Sequence, residues 1–411
     1  MRHPSAHIFD FTPESLRGWA SSRGLPAFRA AQILEWVYQK GVADPALMSN
    51  LSKRDRELLA DPSDGLTFLS GETISHQRAS DGTQKLLVQW EDFGGSRVSG
   101  QSQDDASLSL PQTRDPKPET RSLPLLVSDS TRQTECVMIP AGGGTARDWN
   151  DGDDDRADAA PSRERRTACI SSQVGCPVGC KFCASGIGGL DGNLSAGRIV
   201  EQVWRLRSVL DSPPSRITNV VFMGMGEPLS NFAAVTQAVR TLNAAWGMGI
   251  GARRITISTV GLPKAIEKLA DEFDLPVTLA LSLHAPNDEI RRQLIPWAEY
   301  TTIPELLAAC QKWFAKTGRE ITLEYILLGG VNDRAEHARE LAEVAKTLRA
   351  NVNLIRYNEV KGMPFERPED DAVRTFQTIL RERGVNTHIR ASRGRDIAAA
   401  CGQLRHEHAG A

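Results

Sequence analysis

The sequence predicts an α/β protein: a partial barrel of six βα units, preceded by a small helical module and a β-hairpin. Two observations carry that prediction. From Arg166 onward, apolar β-rich runs alternate six times with amphipathic helical stretches. Such alternation implies a parallel sheet with right-handed crossovers. The chemically unusual residues then fall just beyond the ends of those runs, where barrels of this kind carry their chemistry. Six units are fewer than the eight of a complete barrel.

Taken in order, residues 1–65 read as small helices, an accessory module. Thr12 followed by Pro13 is a helix start. The stretch 28–40 has apolar residues at 30, 33, 34, 37 and 38 and ends at Gly41, a good place for a helix to stop. Ser52 with Asp55 marks another start. Residues 73–80 and 83–90 flank Asp81-Gly82 and form a hairpin in the region 66–140. Residues at about 93–132 and 141–166 are rich in Ser, Gly, Asp and Pro, so both read as disordered insertions, the second acidic. One short strand, 134–139, lies between them.

The barrel is expected over 167–405, with a tail at 406–411. Its strands are read at 167–172, 218–223, 254–258, 277–283, 320–326 and 352–355. Ser195 opens the first helix, which places Ile199, Val203, Leu206 and Leu210 on one face. The others run roughly over 231–244, 263–272, 302–316, 334–349 and 368–383.

Composition narrows the class. With 411 residues, 40% hydrophobic and 24% charged, the chain is an ordinary globular one. A net charge of −2 does not advertise nucleic-acid binding, although residues 381–411 carry 6 Arg against 3 acids. The N-terminus lacks an apolar leader core and no run approaches membrane-spanning length, so no membrane association is expected. Seven cysteines, an odd number, suit a reducing cytoplasm.

The densest signal is Cys176-Pro-Val-Gly-Cys180-Lys-Phe-Cys183, with glycines at 175, 179, 186, 188 and 189 and Cys169 upstream. Thiolates so crowded repel one another unless a metal neutralises them. Structural zinc takes four protein ligands, so a zinc reading stands only if Cys169 is the fourth. A [4Fe–4S] cluster held by three cysteines leaves one iron open to a chelating small molecule. Further strand ends supply Gly226 and Glu227 in Gly224-Met225-Gly226-Glu227-Pro228, then Ser258, the segment Ser282-Leu283-His284, and Asn358. A turn glycine or core histidine explains any one of these alone. Five at equivalent ends argue for one site.

With these residues the chain resembles the radical S-adenosylmethionine superfamily. Within it, the resemblance is to the 23S rRNA adenine-C2 methyltransferases (RlmN-like). The specific segments are Cys169-Ile-Ser-Ser-Gln-Val-Gly-Cys176, Met223-Gly-Met-Gly-Glu-Pro228, Leu281-Ser-Leu-His-Ala-Pro-Asn-Asp288 and Ala400-Cys401-Gly-Gln-Leu404. The resemblance implies a radical-SAM-type barrel and one [4Fe–4S] cluster on Cys176, Cys180 and Cys183. Gly226, Glu227, Ser258, Ser282, Leu283, His284 and Asn358 resemble contacts to S-adenosylmethionine. Cys401 resembles the methyl-carrying cysteine, Cys169 its resolving partner, and Glu135 the general base. Two departures stand out: the insertions flanking Glu135, and Arg356 where proline is usual.

The implied chemistry answers a real difficulty. Carbon 2 of adenine lies between two ring nitrogens and will not attack a sulfonium methyl, whereas a carbon radical can add to it. The family pattern uses two S-adenosylmethionine molecules per turnover. One methylates Cys401; the other yields the 5′-deoxyadenosyl radical that activates that methyl. Glu135 then removes the carbon-2 proton, and Cys169 releases the product as a disulfide forms. Implied partners are 23S rRNA near the peptidyl-transferase centre, tRNA next to the anticodon in some relatives, an electron donor such as flavodoxin or ferredoxin, and a disulfide reductant. The target adenine must be unstacked to reach a barrel mouth. Alternatives are methylation at carbon 8 (Cfr-like), a zinc-stabilised RNA-binding module, and another radical enzyme with no use for Cys401. Read alone, Cys401 after three alanines is a small buried hydrophobe.

Overall fold

The structure is a computed structural model that describes residues 1–92, 132–140, 165–210 and 216–404. The two stretches read as disordered insertions, apart from their edges, and the tail 406–411 lie outside the described residues.

The N-terminal module contains α1 (Pro13–Ser22), α2 (Arg29–Leu34) and α3 (Lys53–Leu59). Thr12 caps α1: its side chain accepts the Ser15 N–H at 3.2 Å, and Ser15 Oγ accepts the Thr12 N–H at 2.9 Å. The single helix expected over 28–40 is instead α2 followed by a wide π-helical turn, Glu35–Gln39, in which Lys40 N–H reaches Glu35 O at 3.0 Å. That turn keeps Val37 and Tyr38 buried. The module seats on the barrel where a residue is missing its side chain. A Cβ on Gly197 would lie 2.1 Å from His7 Nδ1, and the bare Gly197 N–H instead donates to Asp10 at 2.5 Å.

The remaining elements are β1 (Gly71–Arg78), β2 (Gln84–Trp90), β3 (Arg132–Pro140), β4 (Arg166–Cys169), β5 (Gln173–Gly175), β6 (Leu190–Asn193), α4 (Ala196–Ser208), β7 (Asn219–Phe222), α5 (Phe232–Asn243), β8 (Ile255–Thr259) and α6 (Pro263–Glu272). They continue with β9 (Thr278–Ser282), α7 (Asp288–Leu294), α8 (Ile303–Thr317), β10 (Ile321–Leu327), α9 (Ala335–Lys346), β11 (Ala350–Arg356), α10 (Asp370–Glu382) and β12 (Thr387–Arg390). One ten-stranded sheet runs in the order β1-β2-β3-β4-β7-β8-β9-β10-β11-β12. From β4 onward every pair is parallel. The six expected βα units are therefore present, and a further strand, β12, follows them. Only four residues long and carrying Thr, His and Arg, β12 has no apolar run to announce it.

The hairpin and β3 join this sheet through antiparallel pairs, extending it beyond β4. The register sets Val137 opposite Cys169, which brings Glu135, two residues along the same face, close to β4. The sheet stays open, since β1 and β12 are its two ends. Residues 394–404 run from β12 back to the hairpin, where Asp81 accepts the Gly394 N–H at 3.0 Å and Asp396 accepts the Ser80 N–H at 2.9 Å. Gly394 (φ +66°) is required there: a Cβ would meet Ala399 at 2.8 Å and Thr83 at 2.9 Å.

Candidate active site

The cysteine loop leaves the sheet after β4 and is held at its base by the β5/β6 ribbon. Gly175 (φ +74°) lets the strands close, because a Cβ would lie 2.0 Å from the Gly189 carbonyl. Within the loop the Cys183 N–H donates to Cys180 O at 3.1 Å, and the Gly186 N–H to Cys183 O at 3.1 Å. Phe182 packs edge-on against His284 at 5.1 Å, fixing the loop over the end of β9. Cys176, Cys180 and Cys183 all line one open cavity.

Their chemistry fits a metal cluster. Burial pushes the Cys176 thiol up to about 12 and the Cys180 thiol well above its usual range, and the neighbouring thiols push each of them further. Burial raises Cys183 as well. Three such groups ionise together only around a strong positive charge. Among the described residues, no three His, Cys, Asp or Glu side chains converge on a point that a single ion would occupy. Cys169 does not complete a zinc set. It packs with Val137, Met225, Ala399 and Leu404, and after burial the first charge acting on it is that of Cys401.

Four of the expected ligand contacts form the opposite wall. Gly226 (φ +101°) has no room for a side chain, since a Cβ would meet Gln173 Cβ at 2.7 Å. Glu227 is 4% exposed, and its carboxylate accepts the N–H groups of Leu229 at 2.9 Å and Val260 at 2.8 Å. Burial pushes its carboxyl up to about 7 against the pull of those amides, so a cation entering the cavity would favour the ionised form. Ser258 and Ser282 lie hydroxyl to hydroxyl at 3.3 Å.

His284 completes that wall in a left-handed backbone conformation (φ +58°), uncommon for a residue with a side chain. Burial, aided by Arg291, lowers its pKa to about 3, so the ring is neutral. Nδ1 accepts the Ile326 N–H at 3.0 Å, which leaves the ring proton on Nε2.

Two of the expected contacts, Leu283 and Asn358, lie outside the lining of this cavity. Leu283 is fully buried in the core and does not line the cavity; its N–H donates to the carbonyls of Leu281 and Glu324. Asn358 sits behind the C-terminal segment, with its amide donating to the Cys401 carbonyl at 3.3 Å.

The cavity also holds residues that sequence reasoning passed over: Met223, Thr259, Glu324 and Arg390. Arg390 belongs to the arginine-rich stretch 381–411. It points inward, 3.2 Å from Glu324 Oε2 and 3.6 Å from Met223 Sδ, while Asn353 holds the other Glu324 oxygen at 3.1 Å. The visible signal was a lone acid inside the apolar run Ile-Thr-Leu-Glu-Tyr-Ile-Leu of β10. Other cations of the stretch 381–411 and of the N-terminal module have partners within the protein: Arg381 on Thr387 O, Arg29 on Asp55, Arg23 on Asp64, and Lys40 on Glu35.

Cys401 lines the cavity from the C-terminal segment. That segment is tied to the cysteine loop, where the Ala184 N–H donates to Gly402 O at 2.8 Å and Ser185 Oγ to Leu404 O at 2.7 Å. The surrounding protein pushes the Cys401 thiol up to about 11, and Arg390 opposes the shift. Burial pushes Cys169 up to about 12, with Arg390 again opposing. Glu135 opens into a second cavity, of about 610 Å³, shared with Lys85, Ala398 and Gln403. The C-terminal segment carrying Cys401 thus lines both cavities.

Comparison with known proteins agrees with this geometry. Residues 170–342 match the model of the radical SAM superfamily, and residues 6–63 match that of the ribosomal RNA large subunit methyltransferase N-terminal domain. The chain is 36% identical over 399 residues to the dual-specificity RNA methyltransferase RlmN of Rhodopirellula baltica, covering 97% of this chain and 90% of that one. The chain belongs to the RlmN family of radical SAM methyltransferases. The RlmN of Prochlorococcus marinus is 39% identical, covering 96% of this chain and 94% of that one. A solved radical SAM methyltransferase from Sphaerobacter thermophilus superimposes with a TM-score of 0.79 at 37% identity, covering 98% of this chain and all of that one. The RlmN match thus spans the N-terminal module, the hairpin and the barrel together.

Proposed function

We propose that this protein methylates carbon 2 of an adenine in 23S rRNA, and in tRNA beside the anticodon, using Cys401 as the carrier of the new carbon. One observation supports this reading above the others: the segment bearing Cys401 lines both the cavity of the three loop cysteines and the cavity of Glu135. Cys176, Cys180 and Cys183 would hold one [4Fe–4S] cluster, and Gly226, Glu227, Ser258, Ser282 and His284 would seat S-adenosylmethionine. When bound, the cluster supplies the electron that makes S-adenosylmethionine a source of a carbon radical.

The chain's own residues do the rest. Cys401, as thiolate, takes a methyl group on sulfur; Arg390 favours that thiolate. The target base enters from the side of Glu135, so its carbon 2 lies between the Cys401 methyl and the carboxylate. A hydrogen atom would leave the Cys401 methyl for the adenosyl radical, the resulting methylene would bond to carbon 2, and one electron would pass back to the oxidised cluster; Glu135 then accepts the carbon-2 proton, so that sulfur and carbon 2 share one methylene. The Cys169 thiolate then attacks the Cys401 sulfur: an S–S bond forms, the S–C bond breaks, and the released carbon picks up a proton to become the methyl. A thiol reductant reopens the disulfide, and an electron donor of the flavodoxin or ferredoxin class serves the cluster.

The test compares two variants in a host lacking such an enzyme. Cys401→Ala should form no covalent adduct, whereas Cys169→Ala should accumulate a protein–RNA crosslink that survives denaturation. Normal turnover by Cys169→Ala without an adduct would overturn the two-cysteine reading. Mass mapping of the methyl group separates carbon 2 from carbon 8.

A further inference from the structure

We propose that Lys85 is a positioning residue for the proton-removal step, holding Glu135 as a carboxylate and in register with the Cys401 segment. The inference rests on the reading of Glu135 as general base. Antiparallel pairing of β2 with β3 puts Lys85 opposite Val137 and Leu87 opposite Glu135, so Lys85 and Glu135 are diagonal neighbours on one face. Lys85 Nζ lies 2.7 Å from Glu135 Oε1, with the two side chains only 10% and 6% exposed. The same ammonium donates to the Ala398 carbonyl at 3.2 Å, three residues before Cys401. One cation therefore touches both the base and the segment that carries the methyl group.

A stabilising role alone would not explain the pair. Two charges taken out of water seldom outperform an apolar pair of the same size. What the ammonium does provide is an ionised Glu135, since a carboxyl buried without a cation takes up a proton. A protonated Glu135 cannot accept the carbon-2 proton. Other charged groups lie near the pair. Glu359 and Lys361, of opposite sign, share the second cavity. Behind the sheet, beside Cys136 on the same strand, Arg205 and Glu201 of α4 pair with each other at 2.7 Å.

The test is Lys85→Met, which keeps the stem of the side chain and removes the charge, run beside Glu135→Gln with the whole enzyme and its RNA. Lys85→Met should still methylate Cys401 and form the RNA adduct. At pH 7 it should resolve the adduct at least tenfold more slowly than the unsubstituted enzyme, as Glu135→Gln does. Without Lys85 the Glu135 carboxyl titrates higher, and each unit of that shift costs a tenfold loss of carboxylate. Raising the pH to 9 should therefore narrow the deficit of Lys85→Met relative to the unsubstituted enzyme, but leave that of Glu135→Gln unchanged. Taking the ratio removes the parallel gain in Cys169 thiolate, which both enzymes share.

If Glu135→Gln traps the adduct while Lys85→Met resolves it at the normal rate, the role of Lys85 is wrong and the general base stands. A pH-independent deficit, or loss of Cys401 methylation, would reduce Lys85 to a packing residue and also overturn the proposal. If Glu135→Gln traps nothing, the general-base reading fails and this proposal falls with it.

Discussion

The two sides of the Cys401 segment are built by different means. The side facing the loop cysteines uses the C-terminal ends of the parallel strands β4 and β7 to β12. The side facing Glu135 is assembled from β2, β3 and the chain terminus, brought together by antiparallel pairing and by the contacts of residues 394–398 with the hairpin. The first is a scaffold shared with other chemistries of the superfamily. In the function proposed above, the second gives Cys401 a base on its far side. Variants should therefore fail differently according to side.

The largest effect belongs to the loop cysteines. Cys176→Ala should abolish cluster content and all cleavage of S-adenosylmethionine, measured as bound iron and sulfide and as 5′-deoxyadenosine formed. Retention of both would break the comparison at its root. A smaller but still severe loss is expected of Gly226→Ala. The new Cβ meets Gln173 Cβ at 2.7 Å and Ser172 Oγ at 2.8 Å, at a φ of +101°. Strain of this kind costs on the order of 1–3 kcal/mol, so S-adenosylmethionine binding by equilibrium dialysis should weaken by about 5- to 150-fold while RNA binding is kept.

The same contrast explains what was legible in the sequence. Cys176, Gly226, Ser258, Ser282 and His284 could be read because each stands at the end of an apolar run and points to one rim. Leu283 came in with the segment it belongs to, and its side chain is buried in the core. Arg390 and Glu324 escaped notice for another reason. Nothing local says that a cation on a four-residue strand pairs with an acid 66 residues away. The hairpin was readable as a hairpin, but its junction with the barrel depends on pairing across an insertion. Lys85 consequently carried no signal at all.

Arg390 sharpens the comparison through pH. The Cys401 thiol sits at about 11, so between pH 7 and 9 its thiolate rises about tenfold per unit. Methylation of Cys401, followed by protein mass, should climb accordingly with no plateau in that range. Arg390→Met removes the charge that favours the thiolate, so it should slow this step severalfold and leave the slope unchanged. A plateau near neutral pH would mean that Cys401 is ionised already and that Arg390 has another task.

The smallest effect concerns the joint between the two sides. Asp81 accepts the Thr83 N–H at 2.9 Å within its own turn and the Gly394 N–H at 3.0 Å from the C-terminal segment. Asp81→Ala removes both acceptors while the rest of the hairpin is unchanged. Each hydrogen bond contributes about 1 kcal/mol, so the melting temperature should fall by only a few degrees, whereas the segment holding Cys401 loses part of its anchor. Cleavage of S-adenosylmethionine, which needs only the first side, should stay near normal. The yield of methylated RNA per molecule cleaved should drop severalfold, because Cys401 meets the base less often in the right place. An equal loss in cleavage and methylation would show that the anchor serves the whole barrel rather than its C-terminal segment.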